Sequence, residues 1–194
     1  FIGAVSKGLE GKELAEMGDM AEAGVVAFSD DGHYVENAAF MRRALEYSSM
    51  FNKMVIDHAE DITLTKNGHM HEGIVSYELG VIGRPAVAED LAVARDILLS
   101  EMTGGHIHIA HVSSKNTVDM VRRAKAKGLN VTCEVTSQHL SFTDEYLREY
   151  NPAFKMAPPI RSEDHRQALL EGLKDGTIDA IITDHAPHAY EEKD

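Results

Sequence analysis

Short apolar runs that end in polar, titratable residues recur along this chain, and each is followed by a stretch with helical spacing. Phe1 to Ser6 is apolar and closed by Lys7-Gly8, which predicts a strand. Lys12 to Ala23 carries Leu14, Met17, Met20 and Ala21 at helical spacing and stops at Gly24. Val25 to Phe28 predicts a second strand, running into Ser29, Asp30, Asp31 and Gly32. Asn37 is placed to N-cap a helix to about Met50, with Phe40, Met41, Ala44 and Leu45 on one side. A third strand, Lys53 to Asp57, leads into His58-Ala59-Glu60-Asp61.

The polar, histidine-bearing segment Ile62 to Gly73 is predicted as a long loop. Arg84-Pro85 then introduces a helix from about Val87 to Met102, stopped by Gly104-Gly105. His106 to Val112 reads as a strand, Asn116 to Lys127 as a helix and Asn130 to Val135 as a strand. A helical turn near Asp144 to Tyr150, a proline-rich loop from Asn151 to Arg161 and a helix from Ser162 to Lys174 follow. The last strand, Ile178 to Ile182, runs straight into Thr183-Asp184-His185-Ala186-Pro187-His188, and the charged tail after it would suit a lid.

Six predicted strands alternate with helical segments without a hairpin signal, which is the pattern of successive parallel βαβ units. A doubly wound sheet and a (β/α)8 barrel both fit that pattern. Titratable residues at the ends of four strands, namely Asp30 and Asp31, His58, His111 and Asp184, favour the barrel, whose sites draw on many strand ends. No glycine-rich phosphate loop is present, since Gly8-Leu9-Glu10-Gly11-Lys12 has the wrong spacing and lacks a following Ser or Thr. A barrel takes about 250 residues and eight strands. The 194 residues, opening on Phe1 rather than Met, are therefore expected to form one incomplete α/β domain, 1–194: a partial (β/α)8 TIM barrel of about strands 3 to 8.

Composition narrows the partners. With 43% hydrophobic and 26% charged residues the chain should be globular. Nineteen Lys and Arg against 32 Asp and Glu give a net charge of −13, which argues against nucleic acid and anionic membrane. No apolar run approaches the roughly 18 residues of a membrane span. Cys133 is the only cysteine, so no intrachain disulfide forms, and a cytoplasmic location is the default expectation.

Eleven histidines and the strand-end carboxylates turn attention to metal chemistry. Imidazole and carboxylate without thiolate suit Zn²⁺ or a similar divalent ion in an open site that keeps a position for water. His106 and His108 alternate with His111 and should point to the other side, as packing groups or as supports behind the site, His69 and His71 lie either at the mouth or in solvent, and His165 should be at the surface. Either Asp30 or Asp31 could serve as a ligand, the other belonging to an Asp-Asp-Gly turn.

Asp57-His58-Ala59-Glu60-Asp61, His111-Val112-Ser113-Ser114, Glu134-Val135-Thr136, Lys155-Met156-Ala157-Pro158-Pro159-Ile160-Arg161 and Thr183-Asp184-His185-Ala186-Pro187-His188 occur in series along the whole chain. Together they resemble bacterial dihydroorotases of the amidohydrolase superfamily. The resemblance implies a zinc enzyme with one or two ions that interconverts dihydroorotate and carbamoyl aspartate in pyrimidine synthesis. It implies Asp31, His58, His111 and Asp184 as metal ligands, Asp184 also as the catalytic proton shuttle, and His188 and position 157 as substrate contacts. His185, next to Asp184, is expected to be structural. The implied His-x-His pair and substrate arginine of the first strand are not in this sequence, so the isolated chain is expected to be inactive and poorly stable. Relatives usually carry asparagine at Ala157 and Pro-His at Ser137-Gln138. An allantoinase or hydantoinase is the alternative within the enzymes, although the chain offers no lysine at the bridging position. The resemblance also allows a homodimer, a complex with aspartate transcarbamoylase, or a non-catalytic subunit that serves as scaffold for that partner.

Overall fold

The computed structural model describes residues 1–189; the charged tail, 190–194, with its expected lid role, lies outside the described residues. Six parallel strands form one sheet: β1 (Ile2–Gly3), β2 (Ala27–Ser29), β3 (Met54–Asp57), β6 (Ile107–Ile109), β7 (Val131–Thr136) and β8 (Ala180–Ile182), adjacent in that order. The remaining pair, β4 (Met70–His71) and β5 (Gly83–Arg84), forms a separate parallel two-stranded sheet.

The order of the six strands never reverses. A doubly wound sheet needs a reversal to place helices on both faces, whereas a singly wound one keeps its helices on one side. The chain is therefore a partial barrel, as the alternation of elements predicts. The long helices are α2 (Ala38–Ser49), α5 (Val87–Thr103), α6 (Lys115–Ala126) and α8 (Glu163–Lys174), with the shorter α1 (Met17–Glu22) before β2. They cover one face of the strands and share one core, in which Phe28, Val55, Ile107, Val131 and Val135 meet Met41, Leu45, Val93, Val121 and Leu169.

Alternation along the strands carries the other face. In β3, Val55 and Asp57 are buried while Met54 and Ile56 are half-buried; in β7, Val131 and Cys133 are buried while Thr132 and Glu134 are half-buried. The half-buried set lines the side turned away from the helices. There His106 Nε2 and His108 Nδ1 lie 2.9 and 2.7 Å from Thr132 Oγ1, and His108 Nε2 lies 3.1 Å from Glu134.

Local chemistry explains the boundaries. Asn37 Oδ1 accepts from Phe40 N and Ser114 Oγ from Asn116 N, capping α2 and α6. Gly104, at φ 72°, ends α5 in the left-handed region that glycine enters without steric cost.

Several expectations need correction. The helix predicted from Lys12 begins at Met17, because Leu14 instead bridges back to Ser6. The first strand spans only Ile2–Gly3, since Val5 and Ser6 turn to donate their backbone N–H groups to Asp30. Strand β6 ends at Ile109 rather than Val112. The loop expected at 62–73 holds α3 (Ile62–Thr65) and β4 and opens an ordered excursion that continues through α4 (Ile74–Leu79) and β5. A further short helix, α7 (Ser137–Ser141), follows β7 and is capped by Thr136.

Candidate metal centre and adjoining cavity

Three of the residues singled out in the sequence converge at the carboxyl ends of β2, β3 and β6. His58 Nδ1 faces His111 Nε2 at 2.9 Å, and Asp31 Oδ1 lies 3.5 Å from the first and 3.6 Å from the second. Among the described residues this is the group of histidine and carboxylate donors close enough to hold one ion. Each donor arrives by a different route. His58 follows β3 directly. Asp31 sits on a turn in which its N–H donates to Ser29 Oγ and His33 N donates to Asp30 O. His111 lies beyond the end of β6 at φ 32°, so strand alternation no longer governs where it points, and it joins the site independently of His106 and His108.

The neighbouring aspartates divide by burial. Asp30 is buried and accepts from Val5 N, Ser6 N and the Ser6 hydroxyl, which ties the end of β1 to β2. Asp31 is exposed and turned to the histidines.

The donor set fits a divalent ion. Ligands arranged tetrahedrally at about 2.0–2.1 Å from zinc stand roughly 3.3 Å from one another, close to the three separations here, and two nitrogens with one oxygen leave a fourth position open. Electrostatics agree. Hydrogen bonds from His111 and His58 hold the Asp31 carboxyl well below the usual range. Burial disfavours the His58 cation, but Asp31 and Glu60 outweigh it and push His58 up to about 9. A site that concentrates negative charge on an imidazole in this way favours positive charge, whether proton or metal. Glu60 is itself buried, 3.9 Å from His58 Nε2 and 3.4 Å from Arg84 Nη1.

Asp184 stands outside this triad. It lies just past β8 at φ 48° and lines a cavity of about 710 Å³ together with His69, Arg84, Gln138, Lys155, Ala157, His185 and His188. Gln138 Nε2 donates to Thr183 O at 3.2 Å, so this residue ties α7 to the end of β8 next to Asp184. The floor of the cavity is fixed through His139, buried under the Ala157–Pro158 segment. Its Nδ1 is 2.7 Å from Thr136 Oγ1 and its Nε2 3.1 Å from Pro158 O; burial pulls it down to about 4, so it is neutral.

Two other histidines, His165 and His71, are placed differently from the expectation. His165 is buried, not at the surface, and its Nδ1 accepts from Lys115 N at 3.0 Å. His71 is buried against it with ring centroids 5.3 Å apart, and burial together with the Arg161 guanidinium lowers it to about 4. His69 lines the cavity. Cys133 is buried, and burial raises its thiol to about 12, which removes it as a nucleophile. No helix among the described residues is long and apolar enough to cross a membrane.

Singly wound β/α units that gather histidine and carboxylate donors at the carboxyl ends of their strands define part of a (β/α)8-type barrel with a candidate metal-binding group at that end. Solved structures place it further. The chain superposes on L-hydantoinase (dihydropyrimidinase) from Arthrobacter aurescens with a TM-score of 0.82 at 25% identity, covering 99% of this chain and 44% of that one. D-hydantoinase (dihydropyrimidinase) from Thermus sp. gives a TM-score of 0.79 at 24% identity, covering 97% and 43%, a likeness of fold.

Sequence comparison is more specific. Residues 2–117 match the dihydro-orotase-like family model, and the chain belongs to that family. It is 56% identical to a dihydroorotase of Pelotomaculum thermopropionicum over 193 residues, covering all of this chain and 45% of the relative. A dihydroorotase of Streptomyces coelicolor is 54% identical over 195 residues, with 46% of it covered. The chain thus spans just under half the length of these relatives.

Proposed function

We propose that this chain supplies most of one catalytic barrel domain of a zinc-dependent cyclic amidase that interconverts dihydroorotate and carbamoyl aspartate. The observation that carries the reading is the convergence of Asp31, His58 and His111 within ligand distance of one another, in a chain of the dihydro-orotase-like family. Asp31, His58 and His111 would hold the ion, and Asp184, which lines the adjoining cavity, is the further ligand that the resemblance implies. A divalent ion there lowers the pKa of water towards about 7 and polarises a carbonyl oxygen.

The residues of the chain do the rest. Asp184 takes the proton of the attacking water and delivers it to the departing ring nitrogen, a transfer typically worth about 10²- to 10⁴-fold. His188 holds the substrate carboxylate. Ala157 lines the cavity beside them. It offers the ring a methyl group in place of a side-chain amide, which removes hydrogen bonds from the substrate contact. Hydantoinase activity is the second reading, favoured by the superposition on hydantoinases and by Ala157 itself. The absence of lysine at the Asp30-Asp31 turn speaks for dihydroorotate.

The test is to express the complete protein carrying this sequence, measure bound zinc, and compare turnover of dihydroorotate, hydantoin and allantoin. Dihydroorotate should be preferred, and Asp184→Asn should abolish turnover while the fold is kept. Preferential turnover of hydantoin, or full activity of Asp184→Asn, would refute the reading. A protein that carries only a scaffolding role would turn over none of the three.

A further inference from the structure

Among the described residues, a buried ion pair outside the triad, Glu89–Arg161, is hydrogen-bonded on both sides. Glu89 lies in the first turn of α5 and Arg161 at the end of the loop after Pro158-Pro159, and both are almost completely buried. Glu89 Oε1 accepts from Ser113 N at 3.0 Å and Ser114 N at 2.9 Å, the residues that follow His111 into α6. Its Oε2 accepts from the Ser113 hydroxyl and faces Arg161 Nη2 at 3.4 Å.

Arg161 reaches three ways. Nε donates to Ser113 Oγ at 2.7 Å, and Nη1 to His71 Nδ1 at 3.3 Å and to Arg84 O at 3.4 Å. Its carbonyl accepts from Asp144 N at 3.0 Å. The groups held by this pair lie on the turn that carries His111, on the β4–β5 excursion that carries His69 and Arg84, and on the loop that carries Ala157.

We infer that Glu89 and Arg161 are positioning residues, a buried clamp that sets His111 against His58 and fixes two sides of the adjoining cavity relative to it. This rests on the metal-site reading given above. A buried ion pair is a poor device for stability alone, because well-packed apolar residues of similar volume usually serve as well or better. Here the pair does what apolar residues cannot: it satisfies two consecutive backbone N–H groups, those of Ser113 and Ser114, two and three residues after His111 at φ 32°, and holds that turn to a second loop through a planar, forked donor. Partners that orient a ligand in this way typically govern metal affinity by about 10- to 100-fold.

The experiment measures zinc affinity of the complete protein by competition with a chromophoric chelator, and the visible absorption of the cobalt-substituted form, with circular dichroism as the control for folding. Arg161→Lys keeps the charge and loses the fork; Glu89→Gln keeps one acceptor and loses the ion pair. Each is expected to weaken zinc binding about tenfold or more and to shift the cobalt bands while the protein stays folded. A double variant, Glu89→Leu with Arg161→Met, is expected to regain stability without regaining affinity. Binding within twofold of the parent in both single variants overturns the clamp, and so does recovery of affinity together with stability in the double variant. A parent protein that binds no zinc overturns the metal-site reading itself, and the clamp with it.

Discussion

His58 Nδ1 and His111 Nε2 face each other at 2.9 Å across the ends of two paired strands, β3 and β6. Two imidazole nitrogens brought this close compete for one proton unless a cation takes its place. In the metal-loaded protein, replacing either ring by asparagine should lower bound zinc by at least tenfold, read by elemental analysis after dialysis. Chelation should lower the melting temperature of the parent: an ion present at 100 times its Kd adds about 2.7 kcal/mol to the folded state. The two asparagine variants should show little further loss on chelation.

A second prediction concerns the base of the site. Arg95 is the cation of a buried group on the helix side of β3: its Nη2 lies 3.2 Å from Asp57 and 2.5 Å from Asp96, and its guanidinium stacks 4.5 Å above the Tyr34 ring. It also donates to the carbonyl of Val35, which pins the loop following Asp31. Burial, then the charge of Asp96, already raises Asp57, and burial raises Asp96. Removing the cation in Arg95→Met leaves both carboxyls buried without it and should cost on the order of 3–5 kcal/mol in urea unfolding. Adding Asp96→Asn to that variant should recover part of the loss.

Histidine burial gives the pH dependence its sign. His139 titrates near 4 in the folded protein, against about 6.5 when unfolded. Between those values the unfolded chain binds more protons, so stability falls as pH drops from about 6.5 towards 4, and the contribution is fully present above 6.5. The full difference is on the order of 3 kcal/mol. Urea midpoints of the parent should decline over this window, and His139→Gln should show a shallower decline. An equal slope in the two proteins would remove His139 as the cause.

Packing at Gly83 sets a local limit. A Cβ there would lie 2.5 Å from both Cα and Cβ of Glu72, across the β4–β5 pair. Gly83→Ala should therefore separate these strands, at a cost of about 1–3 kcal/mol. Hydrogen exchange should rise at His69 and Glu72, whose N–H groups donate to Ile82 and Arg84 carbonyls, while the six-stranded sheet keeps its protection.

The strand order and the three converging donors were readable because β-branched runs end abruptly in Asp or His, and because amphipathic helices with glycine stops separate them. The excursion was not, since strands as short as Met70–His71 and Gly83–Arg84 carry no alternation. His165 could have been found: it shares a helix face with Leu169 and Gly172 at spacings of four and three, and that face is buried. Glu89 could not, because a charged residue in the first turn of a helix reads as a solvated group that favours the helix dipole, and only the tertiary fold brings Arg161 to it. The Asp30–Asp31 ambiguity has the same origin. Adjacent residues of one type differ only in which direction the turn sends them, and the partners that distinguish them, Ser6 and His58, are far away in sequence.

The excursion pairs only within itself among the described strands, and it meets the frame through Asp61 N to Ala88 O, Tyr150 Oη to Leu79 O, Arg148 to Glu78, Arg84 to Glu60, the His71 ring against His165 and the hydrogen bonds of Arg161. Gly68, His69 and Arg84 on it face the cavity, whereas Asp31, His58 and His111 hang from the main sheet. An edit to the insert is therefore felt at the ligands, because Arg161 joins His71 and Arg84 to the Ser113 turn, and Arg84 faces Glu60 beside His58.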